Sequence, residues 1–369
     1  MENLRVAIVH YWLLHMRGGE KVVEAMCELF PQADIYTHVY VPDQLSDTIR
    51  RHRIRTTFIQ KLPWARKLYQ KYLPLMPLAL EELDLTEYDV VISSESGPAK
   101  GVITRPDALH VCYCHSPMRY LWDQYNIYKR GAGLITRIMM PWLCHKLRIW
   151  DVTTASRVDY FVANSNSIGR RIKKFYNRDA VVIHPPCDIE AFRNDDDSPR
   201  ENYYLLAGQL VNYKRPDLAI EAFSRSGRRL VVIGEGEEYK RLAAMAGQNV
   251  EMLGRVSYAE LKSHLGRCRA LVFPGEEDFG IVPVEAMASG TPVIALGRGG
   301  ALDTVKDGET GILFPEATVD SLNRAVERFE SEELRFDASH LTNWAGSFGR
   351  EEFKTRLLSF IQEKLITVR

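Results

Sequence analysis

Apolar and polar positions alternate on a long rhythm along this chain. In its first half, short and nearly continuous apolar runs occur at Leu4–His10, Ile35–Tyr40, Val90–Ser93, His110–Cys114, Tyr160–Asn164 and Ala180–His184. Helix-like stretches separate them, beginning with Val22–Phe30. Uninterrupted β-branched runs suit strands covered on both faces, so the pattern predicts a parallel sheet flanked by helices. The rhythm pauses at Pro185-Pro186 and at the polar segment Asn194–Pro199, where proline and three consecutive acids continue neither helix nor strand. It then resumes, with strands expected at Tyr203–Ala207, Arg229–Ile233, Val250–Leu253, Ala270–Phe273 and Pro292–Ala295. Helices are expected at Pro216–Ser224, Glu237–Ala246, Tyr258–Cys268 and Pro283–Ser289. Near the end, Phe353, Leu357, Leu358 and Ile361 fall at helical spacing within Arg350–Leu365. The expectation is an α/β protein of two Rossmann-like, doubly wound domains, residues 1–187 and 188–349, facing across a cleft. The helix 350–369 is expected to pack back on the first.

Composition narrows the class. A chain of 369 residues suits two domains, and 46% hydrophobic with 26% charged residues is the make-up of a folded protein. No apolar run reaches the roughly 20 residues of a membrane-spanning helix, and the opening lacks the pattern of a secretory leader. The six cysteines are scattered without a CxxC pair, which fits a reducing, cytoplasmic setting. The net charge of zero conceals an asymmetry. Residues 1–185 hold 25 Lys+Arg against 18 Asp+Glu, a balance of +7, and the remainder holds 23 against 30, a balance of −7. With no reading motif and no overall basic character, nucleic acid is not an expected partner.

Candidate chemistry gathers at the ends of the apolar runs. After the first comes His10-Tyr-Trp, then Gly18-Gly19-Glu20 opening a helix, where glycines let an anion approach backbone amides or serve a turn alone. In the second half, Glu277-Asp-Phe279-Gly280-Ile281-Val282-Pro-Val-Glu285 puts one carboxylate in a loop, a glycine before a helix and a second carboxylate inside it. The first amides of such a helix, at Ile281 and Val282, have no intrahelical acceptor and suit phosphate. His110, Cys112, Cys114 and His115 lie close enough to suggest zinc, but alternating cysteines on a buried strand read more simply as small apolar residues, and no metal is expected.

The span Glu277–Glu285 resembles the Glu-(seven residues)-Glu signature of the family-4 retaining glycosyltransferases. So do Gly208-Gln209, Lys214-Arg215, Gly234-Glu-Gly236, Gly290-Thr-Pro, Gly299-Gly300 and Asp307-Gly-Glu-Thr-Gly311, together with Gly18-Gly19-Glu20, His115 and Asn164-Ser165 of the first half. The resemblance covers nearly the whole chain and implies a GT-B fold using a nucleotide-diphosphate sugar without a metal or other cofactor. It implies that His115, Lys214 and Glu277 act on the donor sugar and its leaving diphosphate. Gly18, Gly19, Gln209, Arg215, Gly234, Val256, Phe279, Gly280, Ile281, Val282 and Glu285 would then surround the nucleotide sugar, with Glu285 on the ribose. One departure stands out: where many relatives have arginine after the glycine, this chain has Gln209, and Arg215 is a candidate to supply the missing charge.

Two stretches without acids suggest a lipid surface. Arg50–Leu80 holds eight basic side chains interleaved with Phe58, Trp64, Tyr69 and Tyr72, and Gln124–Trp150 holds five with Ile138, Met139 and Trp142. The segment around His115 and Trp122 resembles the branch containing bacterial O-antigen and exopolysaccharide mannosyltransferases. That implies GDP-mannose as donor, a polyisoprenyl-diphosphate-linked oligosaccharide as acceptor, and a peripheral place on the inner face of an anionic membrane. A UDP-sugar donor, or a non-catalytic sugar-nucleotide-binding subunit, is the alternative.

Overall fold

The computed structural model describes residues 4–193, 200–332 and 336–368. These form two compact units, one of residues up to Pro186 together with Phe353 onward, the other from Cys187 to Glu352. The segment Asn194–Pro199, read above as a boundary, lies outside the described residues.

The first unit is built on a seven-stranded parallel sheet of β1 (Val6–His10), β2 (Asp34–Thr37), β3 (Ile54–Thr56), β4 (Val90–Glu95), β5 (Leu109–Cys114), β6 (Tyr160–Ala163) and β7 (Ala180–Val182). Its order is β3-β2-β1-β4-β5-β6-β7. The chain runs outward from β1 to β3, then crosses back to β4, so the β1/β4 boundary is the point where winding reverses. In doubly wound sheets ligands gather just beyond the strand ends at such a point. All residues of β1, β4 and β5 are buried, the polar Ser93, Ser94, Glu95 and His110 among them. The helix Arg350–Val368 adds Phe353, Leu357, Phe360 and Ile361 to the core around Ile8, Val111 and Tyr113.

Helix Leu134–Ala155 is anchored to this unit by a buried charge cluster. Lys100, fully buried, donates to Glu95 at 2.8 Å and to Asp151 of that helix, and Asp151 also accepts from Trp122 Nε1 at 2.8 Å and the Tyr176 hydroxyl at 3.0 Å. Charges so deep in a protein persist only when paired and fully hydrogen-bonded.

The second unit has six parallel strands, β8 (Tyr204–Ala207), β9 (Leu230–Ile233), β10 (Val250–Gly254), β11 (Leu271–Phe273), β12 (Val293–Leu296) and β13 (Gly311–Phe314), in the order β10-β9-β8-β11-β12-β13. Its winding reverses between β8 and β11. Clusters of buried apolar side chains cover both faces, one around Phe192, Phe279 and Met287, the other around Tyr204, Phe223 and Phe329.

The expectation for Arg50–Leu80 needs correction. Ile59, Ala65 and Met76 are buried with Leu14 and Val39, and Leu62, Tyr69, Tyr72 and Leu73 pack on that cluster, so most of its apolar residues face inward. Phe58, Trp64, Leu75 and Leu78 remain exposed. The stretch also contains β3, which sequence periodicity missed because a three-residue edge strand reading Ile-Arg-Thr has no apolar run.

Candidate functional site

In the first unit, the polar residues lie at the reversal point between β1 and β4. His10 ends β1 and pairs in register with Ser94 near the end of β4, and His115 follows β5 directly. His10 Nδ1 lies 3.0 Å from Ser94 Oγ, and Ser94 Oγ lies 2.8 Å from His115 Nε2. Burial, with His10 beside it, holds His115 down at about 3, so its imidazole is neutral at ordinary pH. The helix Gly18–Leu29 starts next to this group, and Glu20 in its first turn accepts from the Arg17 backbone N–H at 3.1 Å. Its other oxygen stands 3.9 Å from His10 Nε2.

Gly19 has a local reason to be glycine, since a Cβ there would stand 2.7 Å from the Tyr11 hydroxyl and 3.5 Å from the His10 ring. Of the tempting metal set, His110 spends both ring nitrogens, on Ser93 Oγ at 2.9 Å and on the Arg157 carbonyl at 3.3 Å. Cys112 and Cys114 pack with Phe161 and Ile168.

In the second unit, the chain beyond β8 and β11 forms the counterpart. Lys214 Nζ and Glu277 Oε1 pair at 2.9 Å, both partly exposed, beside a small cavity of about 20 Å³ lined by Gly208, Gln209, Lys214, Phe273 and Glu277. Backbones crowd there. Gly208 and Gly234 have φ of +142° and +144°, and a Cβ on Gly234 would stand 1.8 Å from the Gly208 carbonyl oxygen. Gly299 and Gly300 press on the loop carrying Glu277: Cβ atoms there would come within 2.3 Å of the Glu277 carbonyl and 2.2 Å of Phe279 Cα, and Gly300 N–H donates to Glu277 O at 2.8 Å. These glycines shape the loop by admitting another backbone.

Gly280, at φ +85°, turns the loop into the helix Ile281–Ala288. Phe279 is 4% exposed and packs against Phe348, so its side chain is core and only its main chain can serve a ligand. Val256, Ile281 and Val282 are half-buried beside the same core. Glu285, one turn into the helix, is raised to about 7, first by burial and then by the nearby Asp188 carboxylate.

The structure does not favour Arg215 as a replacement cation. With backbone in the left-handed region at φ +53°, its guanidinium forks onto Asp217 at 3.0–3.2 Å, and Arg215 does not line the cavity, whereas Lys214 does. Gln209 is exposed beside Lys214, and Lys214 is the cation at the cavity.

The two sheets with polar groups at their reversal points define a protein of two Rossmann-like α/β units, whose structural neighbours are GT-B glycosyltransferases. Residues 16–191 match the family model described as Glycosyltransferase Family 4, and residues 188–344 match Glycosyl transferases group 1. Each model matches a little under half of the chain, and together the two matches span residues 16–344. An uncharacterized glycosyltransferase of Methanocaldococcus jannaschii is 32% identical over 183 residues, 48% of this chain and 51% of that protein. The chain spans about half the length of this and the next curated relatives it matches. The alpha-1,3/1,6-mannosyltransferase ALG2 of Homo sapiens is 26% identical over 339 residues, covering 80% of this chain and 78% of that one. Among solved structures, Anabaena Alr3699/HepE in complex with UDP superposes with a TM-score of 0.70 at 15% identity, covering 98% of this chain and 100% of the other.

Proposed function

We propose that this chain is a retaining, metal-independent glycosyltransferase that transfers mannose from GDP-mannose to a polyisoprenyl-diphosphate-linked oligosaccharide in bacterial surface polysaccharide synthesis. The observation that carries the reading is the Lys214–Glu277 pair beside the cavity at the β8/β11 reversal point. Sugar transfer develops negative charge on the departing diphosphate and oxocarbenium character at the anomeric carbon. Lys214 supplies a positive point charge for the first, and the first amides of helix Ile281–Ala288 add donors. Glu277 steadies the Lys214 ammonium and offers acceptors to sugar hydroxyls; Glu285 takes the ribose. His115, a neutral imidazole of the first unit, hydrogen-bonds a sugar hydroxyl. ALG2 is by name a mannosyltransferase, which supports mannose; the UDP complex of the Anabaena neighbour favours a UDP-sugar donor as the second reading.

The acceptor side adds a surface. On helix Leu134–Ala155, Leu134, Ile135, Ile138, Met139 and Trp142 are 48–80% exposed and share one helical face. Arg130, Arg137 and Lys146 accompany them, with no acid between Gln124 and Trp150. Aliphatic and aromatic groups with basic neighbours suit an anionic lipid surface, each cation adding about 1 kcal/mol near it. Among the described residues no helix is long and apolar enough to cross a membrane, so lipid contact would be lateral.

Incubating the full chain with GDP-mannose, or with UDP-sugars, and a short polyisoprenyl-diphosphate-linked saccharide in EDTA tests the reading. An α-linked mannosyl product by NMR is expected. A β-linked product, or turnover only after metal is restored, would contradict it. Replacing Ile135, Ile138 and Trp142 together by Gln is expected to abolish flotation with phosphatidylglycerol vesicles; undiminished flotation would remove this helix from the membrane reading.

A further inference from the structure

The group at the β1/β4 reversal point contains an atom without a partner: His10 Nε2 is buried, makes no hydrogen bond, and stands 3.9 Å from Glu20 Oε1. His10, Ser94 and Glu20 are 1%, 0% and 4% exposed. We infer that Glu20, His10 and Ser94 form a relay that fixes His115 as its Nε2–H tautomer, leaving Nδ1 a bare acceptor, and are therefore positioning residues for the hydroxyl that His115 meets.

Ser94 has one hydroxyl proton and lies between two ring nitrogens, His10 Nδ1 at 3.0 Å and His115 Nε2 at 2.8 Å. It can donate to one ring and must accept from the other. Glu20 decides which. A lone pair on His10 Nε2, 3.9 Å from a carboxylate oxygen, would be repelled by it, whereas an N–H there is attracted. A neutral His10 with its proton on Nε2 has a bare Nδ1, so the Ser94 hydroxyl donates to it. The oxygen of Ser94 is then free to accept, and His115 Nε2 must carry the proton that it accepts. His115 Nδ1, without a partner among the described residues, is left as the acceptor. A sugar hydroxyl can donate to that nitrogen, while a hydroxyl offering only its lone pairs is refused. A doubly protonated His10 would reverse both bonds and put the His115 proton on Nδ1, so the state of the two rings decides the matter. Sequence reasoning missed Ser94 because a buried run ending Ser-Ser-Glu reads as the start of a loop.

The inference rests on the proposed contact between His115 and a sugar hydroxyl, but its first test does not. In the full chain labelled with 15N-histidine, long-range proton–nitrogen correlation at neutral pH is expected to show His10 and His115 both as neutral Nε2–H rings. An Nδ1–H ring at His115, or a doubly protonated His10, would overturn the relay whatever the donor proves to be. Glu20→Gln, close in shape, is then expected to give His115 mixed tautomers and to lower transfer kcat about tenfold with donor KM unchanged, a loss on the scale of one misdirected hydrogen bond. Ser94→Ala should do the same and Ser94→Thr, which keeps the hydroxyl, should restore it. Native tautomer and full kcat in Glu20→Gln would overturn the positioning role even if Ser94→Ala fails to fold. If His115→Ala transfers as well as the wild type while the wild-type rings are as stated, the proposed sugar contact fails and the positioning role with it, a result distinct from a wrong tautomer.

Discussion

At the scale of single residues, neighbouring charges have separate fates. Lys214 reaches Glu277, and Arg215 turns back onto Asp217, because its left-handed backbone precedes a helix whose second residue is that aspartate. Nothing in the one-dimensional pattern distinguishes the two cations; the fold does, by the direction each leaves the chain. Glu285 illustrates what burial does to a carboxylate. Its pKa in the folded chain, about 7, lies above the 4.5 of an unperturbed glutamate. The folded chain therefore holds a proton that the unfolded chain releases, and stability from this residue is full below 4.5 and lost as pH rises through 7. The loss is on the order of 3 kcal/mol. Urea unfolding at pH 5 and pH 8 is expected to show the wild type losing stability relative to Glu285→Gln by that order; parallel changes in the two proteins would contradict the burial argument.

At the scale of elements, glycines divide by what stands next to them. Gly234 combines a φ of +144° with a Cβ position 1.8 Å from a carbonyl oxygen, whereas Gly227, a helix C-cap at φ +75°, has nothing within 4 Å. Gly234→Ala is expected to cost several kcal/mol and Gly227→Ala about 1 kcal/mol, measured by thermal or urea unfolding. Equal costs would mean that the β8 and β9 ends are less tightly apposed than described. Most of the strand framework was legible because covered parallel strands leave nearly continuous apolar runs, as at β1, β5 and β9. β3 and β13 were not, being short and lying respectively in a basic stretch and directly after the Asp-Gly-Glu-Thr turn. The candidate residues were legible through motif order. Their connections were not: the Ser94 link between His10 and His115, and the clamp of Gly299-Gly300 on the Glu277 loop, join segments far apart in sequence.

At the scale of the whole molecule, the first unit is completed by the last residues of the chain. Phe353, Leu357, Phe360 and Ile361 are 0–7% exposed in its core, with Phe353 edge-on to Tyr113 at 5.7 Å. At about 1.5–3 kcal/mol for each large apolar side chain, removing them costs on the order of 6 kcal/mol or more, comparable with the whole stability of a domain. A chain ending at Glu352 is expected to lose the thermal transition of the first unit while the second unit keeps its own and its resistance to protease. Unchanged unfolding of both would show that the terminal helix is dispensable.

In the proposed reading, donor binding depends on Lys214, the cation at the β8/β11 reversal point. Calorimetric titration of the full chain with GDP-mannose and with UDP-sugars in EDTA, repeated for Lys214→Ala and Arg215→Ala, tests it most directly. GDP-mannose is expected to bind without metal, with a loss of at least about tenfold in affinity for Lys214→Ala, the scale of one charged hydrogen bond, and a change within about twofold for Arg215→Ala. Equal binding by wild type and Lys214→Ala, or binding of no sugar nucleotide at all, would contradict it.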